Sequence, residues 1–141
     1  MRASVVVLIA VVAIAAPAAA THKPPISESY DVTAPVPYPV EGASHCSDGI
    51  EGTTKNTKPV TLPDRGVLQV ELSGFLGDWV LELHDAKGRM LAQAAALDPA
   101  NTAPVRKLTY KKAMQGQKVK IAVCNLEGSP RAKVKYTFTY R

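Results

Sequence analysis

The side chains that could carry acid–base chemistry are Glu71, Glu82, His84 and Asp85. Two carboxyls facing each other are the equipment of glycoside hydrolysis, in which one protonates the leaving oxygen and the other attacks or activates water. Glu71 and Glu82 take outward positions on successive strand-like runs and so read as neighbours on a sheet surface, although a pair of exposed glutamates is ordinary surface decoration. His84 points outward at a strand end beside Asp85, where solvent exposure explains it better than service as a general base. Ser44, Ser47, Ser73 and Ser129 fall in loop-like segments with no Gly-x-Ser-x-Gly elbow and no His–Asp order around them. Phosphate-cradling and dinucleotide-binding glycine patterns are absent. The expectation is a protein with no catalytic residues and no cofactor, which is not an enzyme.

Cys46 and Cys124 are the only cysteines. In an oxidising compartment they read as a disulfide, whose loop of roughly 80 residues is worth on the order of 4 kcal/mol. A metal site or a reactive thiol is the alternative, but His45-Cys46 has no accompanying CxxC or HxxxH spacing, so no metal is expected. The formal net charge is +5, unevenly spread. Acidic residues outnumber basic ones from Thr21 to Asn101. Beyond that, Arg106, Lys107, Lys111, Lys112, Lys118, Lys120, Arg131, Lys133, Lys135 and Arg141 face only Glu127. The plain reading is a solvated outer face; the sharper one is a surface for anionic polymer or lipid head groups. Pairing of the last two strands through an Asn125–Arg131 connection would put Lys118, Lys120, Lys133 and Lys135 on one sheet face, with Lys111 and Lys112 nearby. Nucleic acid fits poorly, because no exposed aromatics interleave these lysines.

The elements that must position these residues are strands. Leu68, Val70 and Leu72 alternate with Gln69 and Glu71, and Trp79, Leu81 and Leu83 with Val80, Glu82 and His84, the period of a strand with one buried face. The parity of Trp79 marks it as core rather than as a sugar-stacking platform. Phe75 and Leu76, at the tip between these runs, are better placed for exposed apolar contact or for plugging the end of the fold. Asp85–Gly88 is a turn, with Arg89–Gln93 as the second arm of a hairpin. Ala92–Ala96 could instead form a helical turn, broken by Asp98–Asn101. Lys58–Leu62, Val105–Lys111, Lys118–Cys124 and Ala132–Tyr140 supply further strands. The inward set adds Val119, Ile121, Val123, Val134, Tyr136 and Phe138, enough for one modest core. Cys124 falls on the outward parity of its strand, so a bridge to Cys46 would pin that segment across the outside of the sheet.

Upstream, MRASVVVLIAVVAIAAPAAA has one positive residue, an apolar run and small residues before Thr21. Residues 1–20 therefore read as a signal peptide, leaving no membrane span after cleavage. An uncleaved anchor is the other reading. Residues 21–41 carry five prolines and form an extended arm laid across the domain, or a linker. Residues 42–141 read as an all-β sandwich.

The order of GxLxVxLxG at Gly66–Gly74, GDWxLxL at Gly77–Leu83, the strand ending in VCN at Asn125 and the closing YTFTY resembles the bacterial pre-peptidase C-terminal domain. It is carried by Gly66, Leu68, Val70, Leu72, Gly77, Asp78, Leu81, Leu83, Gly88, Gly116, Val119, Ile121, Val123 and Tyr136, and covers about Lys58–Tyr140. The resemblance implies a small antiparallel jelly-roll-like sandwich, here a stand-alone secreted one without the peptidase that such domains commonly accompany. Many relatives open the central strand with Asp-x-Asp; here it is Asp78-Trp79-Val80. Calcium-binding relatives use several carboxylates, for which Glu41, Asp48 and Glu51 are the candidates, at no matching spacing. The functional expectation is a secreted (extracellular or cell-envelope), non-enzymatic binding or structural module that engages anionic envelope or extracellular material through the lysine face. A carbohydrate-active, peptidase-accessory or inhibitor domain is the alternative.

Overall fold

The structure, a computed structural model, describes residues 22–37, 45–47, 49–94 and 105–141. Residues 1–20, read from sequence as a signal peptide, together with Glu41, Ser44, Asp48 and Asp98–Asn101, lie outside the described residues. Among the described residues there are eight strands and no helix long and apolar enough to cross a membrane. The strands are β1 (Ile26–Thr33), β2 (Lys55–Thr61), β3 (Gly66–Ser73), β4 (Gly77–Asp85), β5 (Met90–Ala94), β6 (Arg106–Ala113), β7 (Lys118–Gly128) and β8 (Arg131–Tyr140).

They form two four-stranded antiparallel sheets, β1-β8-β3-β6 (sheet A) and β2-β7-β4-β5 (sheet B). First pairs with last, second with seventh, third with sixth and fourth with fifth, the nested pairing of a jelly roll. The arm of residues 21–41 is thus partly structural. Ile26–Thr33 is the edge strand of sheet A, paired from Ile26↔Phe138 to Thr33↔Arg131, so the sandwich begins upstream of residue 42. The prolines permit this because Pro24, Pro25, Pro35 and Pro37 flank the strand rather than interrupt it. Pro59 lies inside β2, which a strand tolerates at a sheet edge.

Alternation does what period-2 patterning requires. All the residues assigned inward from sequence are buried in one cluster, and Val32, Ala34, Leu62, Phe75, Leu108, Ala113 and Ala132 complete it. Trp79 is fully buried and its Nε1–H donates to the Ser129 carbonyl at 3.1 Å. Phe75 is buried too, 6.2 Å from Trp79 between ring centroids, and plugs the end of the sandwich; only Leu76 projects, at 73% exposure. At this end the chain passes between sheets, and Gly77 and Gly128 meet with positive φ. A Cβ on Gly77 would lie 2.2 Å from the Glu127 carbonyl oxygen, and one on Gly128 2.1 Å from that of Leu76, so nothing but glycine fits. Asn125, also fully buried, ties the end of β1 to the β7–β8 connection: its Nδ2 donates to the carbonyls of Ala34 (2.9 Å) and Ser129 (3.1 Å).

Candidate functional site

The outer face of sheet B is where side chains of chemical interest converge. Opposite the core parity, β4 presents Val80, Glu82 and His84, and β7 presents Lys120, Ala122 and Cys124. The edge strand β2 adds Lys55 and Thr57, opposite Cys124 and Ala122 respectively. The Cys46–Cys124 disulfide, with 5.6 Å between Cα atoms, pins the Cys46 segment over this face. Cys46, Cys124 and Val80 then form a second apolar cluster, with Leu126 against it and separate from the main core. The outward parity of Cys124 is therefore real and has the expected consequence.

That cover corrects the reading of Glu82. It is not surface decoration but a fully buried side chain. Its Oε1 accepts from the Cys46 backbone N–H at 3.0 Å and lies 3.5 Å from His45 Nδ1 and 3.4 Å from Gln93 Nε2; Oε2 is 2.7 Å from His84 Nε2. A buried carboxyl without such partners would be strongly unfavourable, so the disulfide-held segment and the two imidazoles are the condition for its placement. His84 is likewise not a solvated strand end: its side chain is 18% exposed and it stands opposite Lys120 in register. The two histidines turn their nitrogens to different Glu82 oxygens, and among the described residues no group of three His, Cys, Asp or Glu is arranged to hold a metal ion. Val80, outward and apolar beside outward Ala122 and Cys124, was the sequence signal that this face is covered.

Glu71 and Glu82 are not neighbours. Their strands belong to opposite sheets, and Glu71 pairs with Lys107 at 3.0 Å on the exterior of sheet A. The lysine face divides for the same reason. Lys118 and Lys120 lie on β7 of sheet B, whereas Lys133 and Lys135 lie on β8, and Lys111 and Lys112 on β6, of sheet A. The Gly128–Arg131 passage carries the chain from one sheet to the other, so β7 and β8 do not pair and the four lysines do not share a face. Lys133 comes within 4.0 Å of Asp31. Lys55, Lys118, Lys120, Lys111, Lys112 and Lys135 form no ion pair with a described residue.

A second polar cluster closes the sandwich where edge strands β1 and β2 meet. Lys58 pairs with Glu28 and lies 4.3 Å from the Tyr30 ring centroid and 6.0 Å from that of Tyr136, whose hydroxyl donates to Glu28. The hydrogen bonds from Lys58 and then Tyr136 hold the Glu28 carboxyl below its ordinary range. Burial pushes the Tyr30 phenol well up, and burial followed by the Glu28 hydrogen bond pushes Tyr136 from 10.0 up to about 12. A phenol with a raised folded-state value favours folding fully below its unfolded value, and that contribution is lost as pH rises from 10 through 12. Urea midpoints measured from about pH 8 to 11.5 should therefore fall more steeply in the parent than in Tyr136→Phe. Equal slopes would show that this cluster carries no such linkage.

Neither a protein-family model nor a curated protein sequence matches this chain.

Proposed function

We propose that this chain is an exported, non-enzymatic binding module of the pre-peptidase C-terminal type that attaches to anionic envelope or extracellular material through lysines on its sheet exteriors. The observation that carries this reading is the set of six lysines, distributed over both sheets, that form no ion pair with a described residue. The inner faces of both sheets are consumed by packing, which leaves the exteriors and loop tips as contact surfaces. Exposed ammonium groups interact with a polyanion through a field that salt screens, the Debye length shrinking from about 10 Å at 0.1 M to about 3 Å at 1 M. Division of the lysines over two exteriors suits a flexible polymer that wraps the module better than a flat surface met by one face.

The test is retention on an anionic phosphodiester polymer immobilised on resin. The parent should bind at about 0.05 M salt and elute well below 1 M. The quadruple variant with Lys118, Lys120, Lys133 and Lys135 changed to Gln should elute at markedly lower salt than the parent. No retention of the parent at low salt, or undiminished retention of the quadruple variant, overturns the reading.

A further inference from the structure

Resting on that reading, we propose that the cleft on the exterior of sheet B is a specific phosphate-ester site. The cleft encloses about 300 Å³ and its lining includes Lys55, Thr57, His84, Lys120, Ala122 and Ser47. Its shape follows from one residue. Ala122 lies opposite Thr57 on one side and Glu82 on the other, and stops at Cβ, while the positions two residues away along β7 and the flanking strands carry larger groups. The hollow above Ala122 is thus walled by Lys120 with His84 opposite it at one end, and by Lys55 beside the disulfide at the other.

Three features select the ligand. Lys55 and Lys120 form no ion pair with a described residue; of the carboxyls beside the cleft, Glu82 is fully buried and engaged by the Cys46 N–H and His84, and Glu51 accepts from the Thr57 N–H at 2.6 Å. The cleft therefore offers two ammonium groups that no described carboxylate pairs with. Its donors include the Lys55 ammonium and Thr57 hydroxyl of β2 and the Lys120 ammonium of β7, a non-planar set that suits a tetrahedral anion with several acceptor oxygens. A planar carboxylate is served best by the arginine fork, and the cleft lining contains no arginine. Finally, Glu82 fixes the His84 ring through Nε2 and the disulfide fixes the Cys46 edge, so the walls are set before the ligand arrives and little ordering is needed on binding. Glu82 acts here as a positioning residue.

The full-length oxidised protein titrated with inorganic phosphate, glycerol phosphate and acetate, followed through its backbone amide shifts, tests the proposal. Saturable shifts at Thr57, His84, Lys120 and Ala122 are expected with both phosphates, with acetate about tenfold weaker. Lys55→Gln/Lys120→Gln should weaken phosphate binding about tenfold or more, whereas Lys23→Gln/Lys107→Gln, at lysines paired with Asp64 and Glu71 away from the cleft, should match the parent. Tighter binding of glycerol phosphate supports an ester carried by a polymer or lipid as the source, and tighter binding of inorganic phosphate overturns the ester assignment. Shifts confined to sheet A, or indifference to the Lys55/Lys120 change, overturn the cleft. If the polymer is still retained at low salt in that event, the broader binding reading stands without it; if retention is lost as well, both fall.

Discussion

Reduction of the Cys46–Cys124 bridge lowers the unfolding midpoint by about 20 °C, the largest effect expected of any single bond in this protein. The cysteines are separated by 78 residues, and closing a loop of that length in the unfolded chain is worth about 4 kcal/mol. For a domain near 100 residues each kcal/mol moves the midpoint by about 4–8 °C. Released from its tether, the Cys46 segment also uncovers Val80 and Glu82, which adds to the loss rather than offsetting it. Cys46→Ala/Cys124→Ala should show the same displacement without reductant and keep its β-type circular dichroism at room temperature, because the main core contains neither cysteine. A displacement of only a few degrees would mean that the segment stays docked without its covalent tie.

Glu82→Ala destabilises by about 3 kcal/mol, unusually large for a residue on the outside of a sheet. Removal of the carboxyl leaves the buried Cys46 N–H without its acceptor and deprives His84 of its partner, and the lost side chain leaves a void beneath the segment. Glu82→Gln separates hydrogen bonding from charge. Its amide oxygen can still accept from Cys46 and its amide NH₂ can donate to His84 once the imidazole proton moves to the other nitrogen, so it should recover more than half of the loss. Chemical denaturation of the three proteins measures this. Equal losses in the Ala and Gln variants would assign the effect to charge, and no loss in either would show that the segment does not need Glu82.

How far the sequence could be read depends on how far each signal reaches along the chain. Leu68/Val70/Leu72, Trp79/Leu81/Leu83 and Val119/Ile121/Val123 announce their buried face through alternation among near neighbours, and all of them are core. Alternation assigns a residue to a face of its own strand but says nothing about which sheet that strand joins. Alternation alone therefore merges Lys118 and Lys133 into one surface, although the chain changes sheets between them. Glu82 failed for a related reason: what buries it comes from a segment around Cys46, brought back by a covalent bond rather than by neighbouring sequence. Strand β1 was half legible, its prolines suggesting a linker until their positions outside Ile26–Thr33 are noticed. The cleft depends on the juxtaposition of Lys55, Ala122 and His84 from three strands, which no local pattern encodes.

The nested pairing of the strands also sets an order of assembly. Only the β4–β5 hairpin joins residues close in sequence; each pair outside it closes a longer stretch of chain, ending with Ile26 against Phe138. Folding that must wait for such distant contacts is slow, since loop entropy is lost before the pairing returns it. The hairpin around Asp85–Gly88 is therefore the natural seed, and the sandwich cannot close until β8 has emerged. Until then the apolar faces of β3 and β4 stand open, a period in which the growing chain needs protection from its own kind.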